Sequence, residues 1–226
     1  MNLHHIQTQW NILEKLLEYV LKSELNTICL NDNKMNITNT EIKMNITNTE
    51  IKGLFVIEPN VYKDDRGYFM ETYNKHLNDT LGIEEWIQDN ESMSNKFTVR
   101  GLHYQRSIYS QAKLVRVVQG SVIDTVVDIR AESETYGKSF SILLTGDNKK
   151  QLFVPRGFAH GFSTLANNTI FNYKCDDFYN AESECGINPF DPDLNIDWKI
   201  KGKEVIMSEK DKLWPNFCDI EKEYIY

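Results

Sequence analysis

The amino-acid sequence predicts an all-β sandwich or barrel, and three observations support this fold class. After residue 53, short runs rich in β-branched and aromatic side chains follow one another, with turn residues between them. Little of that region has helical periodicity. Many short strands with few helices are typical of antiparallel sandwiches and barrels. The chain also lacks a strand followed by GxGxxG and lacks GxxxxGKS/T, so neither a dinucleotide-binding fold nor a P-loop is predicted.

The region before residue 53 is predicted to be an N-terminal extension. Residues 10–25 carry apolar side chains at helical spacing with charged side chains between them, which predicts an amphipathic helix. Residues 35–43 recur unchanged as residues 44–52. Because a solenoid needs at least about three repeats, we interpret these two copies as a duplicated linker or an extra copy of a strand. The predicted domains are residues 1–52, the extension, and residues 53–226, the main domain.

The main domain is predicted to contain strands wherever an apolar, β-branched or aromatic run lies between turn residues. The predicted strands cover residues 54–57, 68–73, 112–119, 121–130, 139–145, 151–154 and 169–174. In the charged tail, residues 208–211 predict a helical turn, so a few short helices are expected at the periphery of the sheets.

Composition and charge exclude several kinds of partner. A net charge of −8 leaves no basic face for a nucleic-acid backbone, so no nucleic-acid partner is predicted. No run approaches about 18 apolar residues and no signal-peptide pattern opens the chain, so neither a membrane span nor secretion is expected. The 4 cysteines have no CxxC pair and no metal-ligand spacing, which fits a reducing compartment and predicts a cytoplasmic protein.

The stretch from Val99 to Gln105 is too polar for a core strand and indicates a site. It carries an arginine, a histidine, a tyrosine and a glutamine around a glycine. Ideal strand alternation places Arg100 and His103 on opposite faces. Either Gly101 marks a β-bulge that brings them to one face, or Arg100 serves a different site, such as one completed by a second subunit.

A second histidine lies in Pro155-Arg156-Gly157-Phe158-Ala159-His160-Gly161-Phe162. The PxGxxH spacing resembles the second motif of the cupin superfamily, a jelly-roll barrel. In metal-binding cupins this histidine is a ligand, together with an HxH pair and a glutamate from an earlier strand. The chain has no HxH anywhere, so no metal is expected. Without a metal, such histidines serve as acid/base or hydrogen-bonding groups.

Six motifs follow one another in the order and spacing of one protein family. They are Asp65-Arg66-Gly67-Tyr68-Phe69-Met70-Glu71, Gln88-Asp89-Asn90, Arg100-Gly101-Leu102-His103, Gln111-Ala112-Lys113-Leu114-Val115, Gly157-Phe158-Ala159-His160-Gly161-Phe162 and Tyr173-Lys174. From about residue 53 to about residue 211, the chain resembles the dTDP-4-dehydrorhamnose 3,5-epimerase family. The resemblance implies a cupin-type jelly-roll barrel or sandwich that needs no cofactor and no metal. It also implies a nucleotide-sugar substrate and a homodimer with exchanged N-terminal strands.

The resemblance implies catalytic roles for four residues. Inverting C3 and C5 of a 4-keto sugar needs a base on one face, a proton donor on the other, and a positive charge near the enolate oxygen. By similarity His103 is the base, and Asp211 is the carboxylate that holds its tautomer. Tyr173 matches the proton donor, and Lys113 matches the residue nearest the C4 oxygen.

Further residues match the family's contacts to its substrate. Arg66 and Arg100 resemble the diphosphate and sugar contacts, which suit arginine because its planar fork pairs with phosphate oxygens two at a time. The remaining matches are Glu71, Gln88 and Asn90 for base recognition, Tyr179 for stacking on the pyrimidine, and Asp89, His160, Glu184 and Lys210 for other ligand contacts.

Several alternatives stay open at this point. The enzyme could epimerise a single carbon or move the keto group between C4 and C3, and the nucleotide could be dTDP or UDP. A sugar-binding cupin without chemistry is expected to lack His103, Lys113 or Tyr173, and all three are present. A metal-dependent cupin dioxygenase would be distinguished by metal analysis of the purified protein.

Overall fold

The structure is a computed structural model that describes residues 30–31, 34–36 and 44–222. In these residues the chain forms fifteen strands, one α-helix and three short 3-10 helices. In chain order the strands and the α-helix are β1 (Leu30–Asn31), β2 (Lys34–Asn36), β3 (Met44–Asn48), β4 (Phe55–Pro59), β5 (Val61–Asp64), β6 (Gly67–Met70), α1 (His76–Leu81), β7 (Gln88–Ser94), β8 (Val99–Gln105), β9 (Lys113–Gln119), β10 (Ser121–Asp128), β11 (Ser139–Thr145), β12 (Gln151–Val154), β13 (Phe158–Thr164), β14 (Thr169–Cys175) and β15 (Glu184–Gly186). The 3-10 helices are Ser107–Tyr109, Asp211–Leu213 and Phe217–Asp219. The helix predicted over residues 10–25 lies outside the described residues.

Two antiparallel sheets carry the fold. The larger sheet has eight strands in the order β1-β2-β3-β4-β12-β9-β14-β7, and the smaller has five in the order β11-β10-β13-β8-β15. The strands β5 and β6 form a separate hairpin. None of the helices in the described ranges is long and apolar enough to cross a membrane.

The two sheets face each other across a shared apolar core. Val117 and Phe171 from the larger sheet belong to the same buried cluster as Val126 and Phe162 from the smaller sheet. The rings of Phe162 and Phe171 stack with their centroids 4.2 Å apart. Side chains alternate along each strand, so every second residue points into this interior. The prediction of an all-β sandwich is confirmed.

The outer face of each sheet is also covered. Helix α1 buries Leu77 and Leu81 against Leu114 on the outer face of the larger sheet. A C-terminal segment buries Trp198 and Ile200 against the outer face of the smaller sheet. Both outer faces are therefore covered by packing within the chain.

The second copy of the nine-residue repeat contributes a strand. Residues 44–48 form β3, which pairs with β4, and Met44 and Ile46 are buried on the outer face of the larger sheet, in the same cluster as Leu77 of helix α1. The first copy begins in β2, which pairs with β3. The second copy therefore acts as an extra strand rather than as a linker, while the division of the chain at residue 53 stays a prediction.

The predicted strand bounds agree with the structure where the sequence is apolar. Strands β11 and β12 have the predicted bounds. Strand β10 ends at Asp128, two residues early, because the Asp128 carboxylate accepts hydrogen bonds from Arg130, Ser133 and Thr135 and turns the chain. The strand predicted over residues 68–73 ends at Met70.

Candidate active site

An irregularity in β8 brings Arg100 and His103 to the same face. On the neighbouring strand β13, His160 pairs with His103 and Phe162 pairs with Arg100, with a register shift between them. Cross-strand partners share a face. His160 and Phe162 are two residues apart on β13 and both point inward. Their partners His103 and Arg100 therefore also point inward, although these two are three residues apart on β8. Of the two alternatives that the sequence left open, the structure has the bulge: the pairing of β8 with β13 shifts register next to Gly101, whose φ is 126°.

Glycine is required at this crossing because the two strands approach closely. A Cβ on Gly101 would lie 2.5 Å from Gly161 Cα and 2.9 Å from the His160 carbonyl oxygen. A Cβ on Gly161 would lie 2.6 Å from the Arg100 carbonyl oxygen. The two glycines thus allow the local geometry that aims His103 at the interior.

His103 is hydrogen-bonded to the carboxylate of Asp211. Its Nε2 lies 2.7 Å from Asp211 Oδ1, and the Gly101 N–H donates to Asp211 Oδ2 at 3.4 Å. Burial acts to raise the pKa of Asp211, but the hydrogen bond and charge of His103, with the Gly101 N–H, outweigh it and hold that pKa below its usual value. Because an ionised carboxylate only accepts, neutral His103 donates its Nε2–H and keeps the Nδ1 lone pair free to take a proton.

Lys113 and Tyr173 face the same interior from the larger sheet. Tyr173 pairs with Val115, two residues beyond Lys113 on β9, so both polar side chains share the inner face with the core. Burial lowers the pKa of Lys113, opposed by the charges of Cys175, Asp124 and Glu184. Burial raises the pKa of Tyr173, reinforced by Cys175 and opposed by the positive charge of Arg100. Charges from both sheets therefore act on one shared space.

A second histidine–aspartate pair lies beside the first. His160 Nε2 lies 3.0 Å and 2.9 Å from the two carboxylate oxygens of Asp124. The His160 ring also stacks on Phe171, with centroids 6.2 Å apart. Asp124 was not predicted from the sequence. The sequence did contain an indication. Asp124 alternates with Val122 and Val126 along β10 and so points to the same inner face, where a buried carboxylate needs a partner.

Tyr179, Glu184 and Lys210 form a polar group next to His103. The Tyr179 hydroxyl and the Lys210 ammonium both donate to Glu184 Oε2. Glu184 lies on β15, two residues before the cross-strand partner of His103, and so shares its face. Burial acts to raise the pKa of Glu184, but Lys210 and Tyr179 outweigh it and lower that pKa.

Strand β7 divides its predicted residues between two faces. Gln88 donates to Asn90 at 2.8 Å, and both lie on the inner face, where the Asn90 amide reaches Cys175 Sγ at 3.9 Å. Asp89 lies on the outer face, where Lys174 Nζ binds it at 2.8 Å. Strand alternation therefore keeps Asp89 away from the other predicted residues.

Arg66 and Glu71 are also apart from the group around His103. The Arg66 side chain is 90% exposed at the tip of the β5–β6 hairpin and pairs with Asp64 at 2.5 Å. Glu71 follows the hairpin and accepts a hydrogen bond from Asn74. Within the described residues, no group of three or more histidine, cysteine, aspartate or glutamate side chains is placed to hold a metal ion.

Comparison with known proteins gives one consistent result. A family model described as dTDP-4-dehydrorhamnose 3,5-epimerase matches residues 48–219. The chain is 47% identical over 164 residues to the dTDP-4-dehydrorhamnose 3,5-epimerase of Methanothermobacter thermautotrophicus, with 72% of this chain and 88% of the relative covered. It is 45% identical over 180 residues to the enzyme of that name from Escherichia coli, with 79% of this chain and 92% of the relative covered.

Solved structures agree with the sequence relatives. The dTDP-6-deoxy-D-glucose-3,5-epimerase from Legionella pneumophila, in complex with dTDP-4-keto-L-rhamnose, matches with a TM-score of 0.77 and 45% identity, covering 81% of this chain and 99% of that one. A 3'-monoepimerase from Streptomyces bikiniensis, in complex with dTDP-quinovose, matches with a TM-score of 0.71 and 28% identity, covering 75% of this chain and 86% of that one.

Proposed function

The chain belongs to the dTDP-4-dehydrorhamnose 3,5-epimerase family, and on this basis we propose that it inverts C3 and C5 of dTDP-4-dehydro-6-deoxy-D-glucose to give dTDP-4-dehydro-L-rhamnose. One observation carries the proposal. His103 on the smaller sheet, hydrogen-bonded to Asp211 at 2.7 Å, faces the interior that Lys113 and Tyr173 face from the larger sheet. A sugar ring held between the sheets would have the base on one side and the proton donor on the other.

His103 is the proposed base. The C4 carbonyl acidifies the hydrogens at C3 and C5, and the free Nδ1 of His103 can remove each in turn. The imidazolium that forms is stabilised by Asp211, whose lowered pKa keeps it ionised. The His103 side chain is 33% exposed, so a substrate can reach it.

Lys113 is the proposed partner of the enolate oxygen. Deprotonation next to the carbonyl moves negative charge onto the C4 oxygen. The burial that lowers the pKa of Lys113 also places its ammonium group in surroundings of low polarity, where its attraction for a developing oxyanion is stronger than in water. Lys113 makes no ion pair within the described residues, which leaves its charge for the substrate.

Tyr173 is the proposed proton donor. Its raised pKa keeps the phenol protonated at neutral pH, so it can give a proton to the face of the enolate opposite His103. Removal of a proton on one face and return of a proton on the other inverts the carbon; exchange with solvent then takes the proton from His103 and restores the phenol of Tyr173 before the second carbon is inverted. No cofactor or metal takes part in this proposed scheme.

The nucleotide is proposed to bind along β7 and at the group around Glu184. The amides of Gln88 and Asn90 can hydrogen-bond a pyrimidine, and Tyr179 can stack on it. Arg100, exposed beside β7, suits the diphosphate. His160, Glu184 and Lys210 are the proposed further contacts to the ligand.

Arg66 and Glu71 are proposed to act in the site of a second copy of the chain. The hairpin that carries Arg66 also exposes the rings of Tyr62, Tyr68 and Phe69. Clustered exposed apolar side chains mark interaction surfaces. This supports a homodimer in which each hairpin completes its partner's site. Cys175 and Cys218 are free thiols, which supports a cytoplasmic location.

The test is incubation of the protein with dTDP-4-keto-6-deoxyglucose in heavy water, with the product read by NMR and mass spectrometry. We expect deuterium at both C3 and C5, together with the L-rhamno configuration. Deuterium at a single carbon would replace the proposal with a single-carbon epimerase, and appearance of a 3-keto product would replace it with a ketoisomerase. Absence of any deuterium would contradict an epimerase. Repeating the assay with the UDP sugar decides the nucleotide.

A further inference from the structure

The indole of Trp214 lies beside the His103–Asp211 pair and has no part in the scheme above. Trp214 directly follows the 3-10 helix Asp211–Leu213, and its Nε1–H donates to Asp211 Oδ1 at 3.4 Å. This is the same oxygen that accepts from His103 Nε2. The indole also meets the imidazole edge-on, with centroids 6.3 Å apart and an interplanar angle of 72°. Trp214 therefore borders both members of the pair.

Gly186 provides the space for this ring. Gly186 is the cross-strand partner of His103 on β15, and such partners direct their side chains to the same face. A Cβ built on Gly186 would lie 2.4 Å from Cε2 and 2.5 Å from Nε1 of Trp214, far inside van der Waals contact. The indole occupies the position next to His103 that a side chain at residue 186 would fill.

We propose that Trp214 is a positioning residue for the His103–Asp211 pair and that the absent side chain of Gly186 admits its ring. The inference rests on the proposed function, because it gives Trp214 a part in that reaction. The indole N–H fixes an oxygen of Asp211 that also binds the base. The ring keeps water from the carboxylate, and a hydrogen bond is stronger where water is excluded.

The first test replaces the indole by a ring without an N–H. In Trp214→Phe we expect kcat to fall about tenfold, because a small displacement of a catalytic group can cost up to about 10²-fold. The acid limb of the kcat/KM profile should move to higher pH, since a carboxylate with one donor fewer holds the imidazolium more strongly. Trp198→Phe is the matched control. It also removes an indole N–H bond, to the Pro189 carbonyl at 2.7 Å, but under the outer face of the sheet, and should leave both readouts unchanged.

The second test uses Gly186. Its φ lies outside the left-handed region, so the backbone tolerates alanine, and the nearest atoms that the added Cβ would meet are those of the Trp214 ring. Gly186→Ala should lower kcat as Trp214→Phe does. In a Trp214→Ala background the same substitution should have no further effect, because the ring it displaces is gone. Equal costs of Gly186→Ala in the two backgrounds would overturn the inference.

A third readout needs no turnover. The Asp211 carboxyl can be followed by 13C NMR against pH, with Asp211→Asn for assignment. Its pKa should be higher in Trp214→Phe than in the wild type and unchanged in Trp198→Phe. The charged groups around it, His103, Glu184 and Lys210, are present in every variant. If the wild type epimerises no nucleotide sugar, the proposed function fails and this titration still decides the role of Trp214. Identical titrations in the wild type and Trp214→Phe would overturn it.

Discussion

His103–Asp211 and His160–Asp124 are two pairs of the same side-chain types on neighbouring strands, and the two histidines are cross-strand partners. They differ in access. The side chains of His103 and Asp211 are 33% and 5% exposed, whereas those of His160 and Asp124 are 8% and 0% exposed. Asp211 comes from a distant 3-10 helix, and Asp124 comes from the adjacent strand β10. The same histidine–aspartate interaction thus occurs once at the open side of the sandwich and once inside its core.

The difference separates two uses of one interaction. In the open pair, Asp211 binds one ring nitrogen of His103 and the other can meet a substrate. In the buried pair, both oxygens of Asp124 converge on a single nitrogen of His160, and the ring packs on Phe171. Loss of the first carboxylate should therefore appear as lost rate, and loss of the second mainly as lost stability.

The largest effect is expected from Asp211→Asn. The amide can present an N–H₂ to His103 and stabilise the wrong tautomer, so kcat should fall about 10³-fold or more, as for a triad aspartate. The measurement is steady-state turnover of the dTDP sugar. Asp219→Asn, at an exposed aspartate in the last 3-10 helix, is the control. A loss below about tenfold would mean that Asp211 does not orient the base.

Tyr173→Phe should have the next largest effect. It separates proton removal by the open pair, His103–Asp211, from proton donation by Tyr173. Without the phenol, protonation on the opposite face fails, so epimerised product should fall about 10²-fold. Exchange of substrate hydrogens with heavy water should continue, because His103 can still remove and return a proton on its own face. Tyr136→Phe, whose ring packs on Phe217, is the control. Parallel loss of exchange and inversion would argue against two separate proton carriers.

Asp124→Ala tests the buried pair. It leaves the His160 Nε2–H without a partner in the core, which should lower the free energy of unfolding by about 1–3 kcal/mol. Urea unfolding of the variant and the wild type measures this loss. If Asp124→Ala leaves stability unchanged but reduces kcat more than Asp211→Asn does, the two pairs have been assigned the wrong way round.

The smallest effect concerns pH. The pKa of Asp211 lies below its ordinary value of about 3.8, so its ionised form favours the folded state. This contribution is complete above about pH 3.8 and is lost as pH falls through the lower folded value. The difference in unfolding free energy between the wild type and Asp211→Asn should therefore shrink in acid. A difference that grows with falling pH would show that the charge is not stabilising.

The sequence predicted the strands whose pattern is local and apolar. Strands β11 and β12 were predicted with their observed bounds, because turn residues flank runs of typical strand composition. Strand β7 was missed because it lacks the alternation of apolar and polar side chains. Its inward side chains, such as Gln88 and Asn90, are polar, and so are outward ones such as Asp89. Strand β13 was missed because its central His160 and Gly161 do not fit a strand pattern.

The sequence predicted which residues belong to the site better than it predicted how they are arranged. The parity of Arg100 and His103 left two alternatives, a bulge at Gly101 or a different site for Arg100, and the register shift between β8 and β13 decides for the bulge. The pairing of His103 with Asp211 joins residues 108 positions apart, which periodicity cannot reveal. The family resemblance identified both residues, and the fold supplies their contact. Asp89 shows the converse limit, since a motif match does not say which face of a strand a residue occupies.

The central claim is that His103, and not its neighbour His160, removes the substrate proton. The most direct measurement is single-turnover uptake of solvent deuterium at C3 and C5 by His103→Ala and by His160→Ala, with His76→Ala on helix α1 as the control. We predict that His103→Ala takes up no deuterium at either carbon, while His160→Ala still exchanges both, even with weaker substrate binding. Exchange at the wild-type rate in His103→Ala would contradict the account.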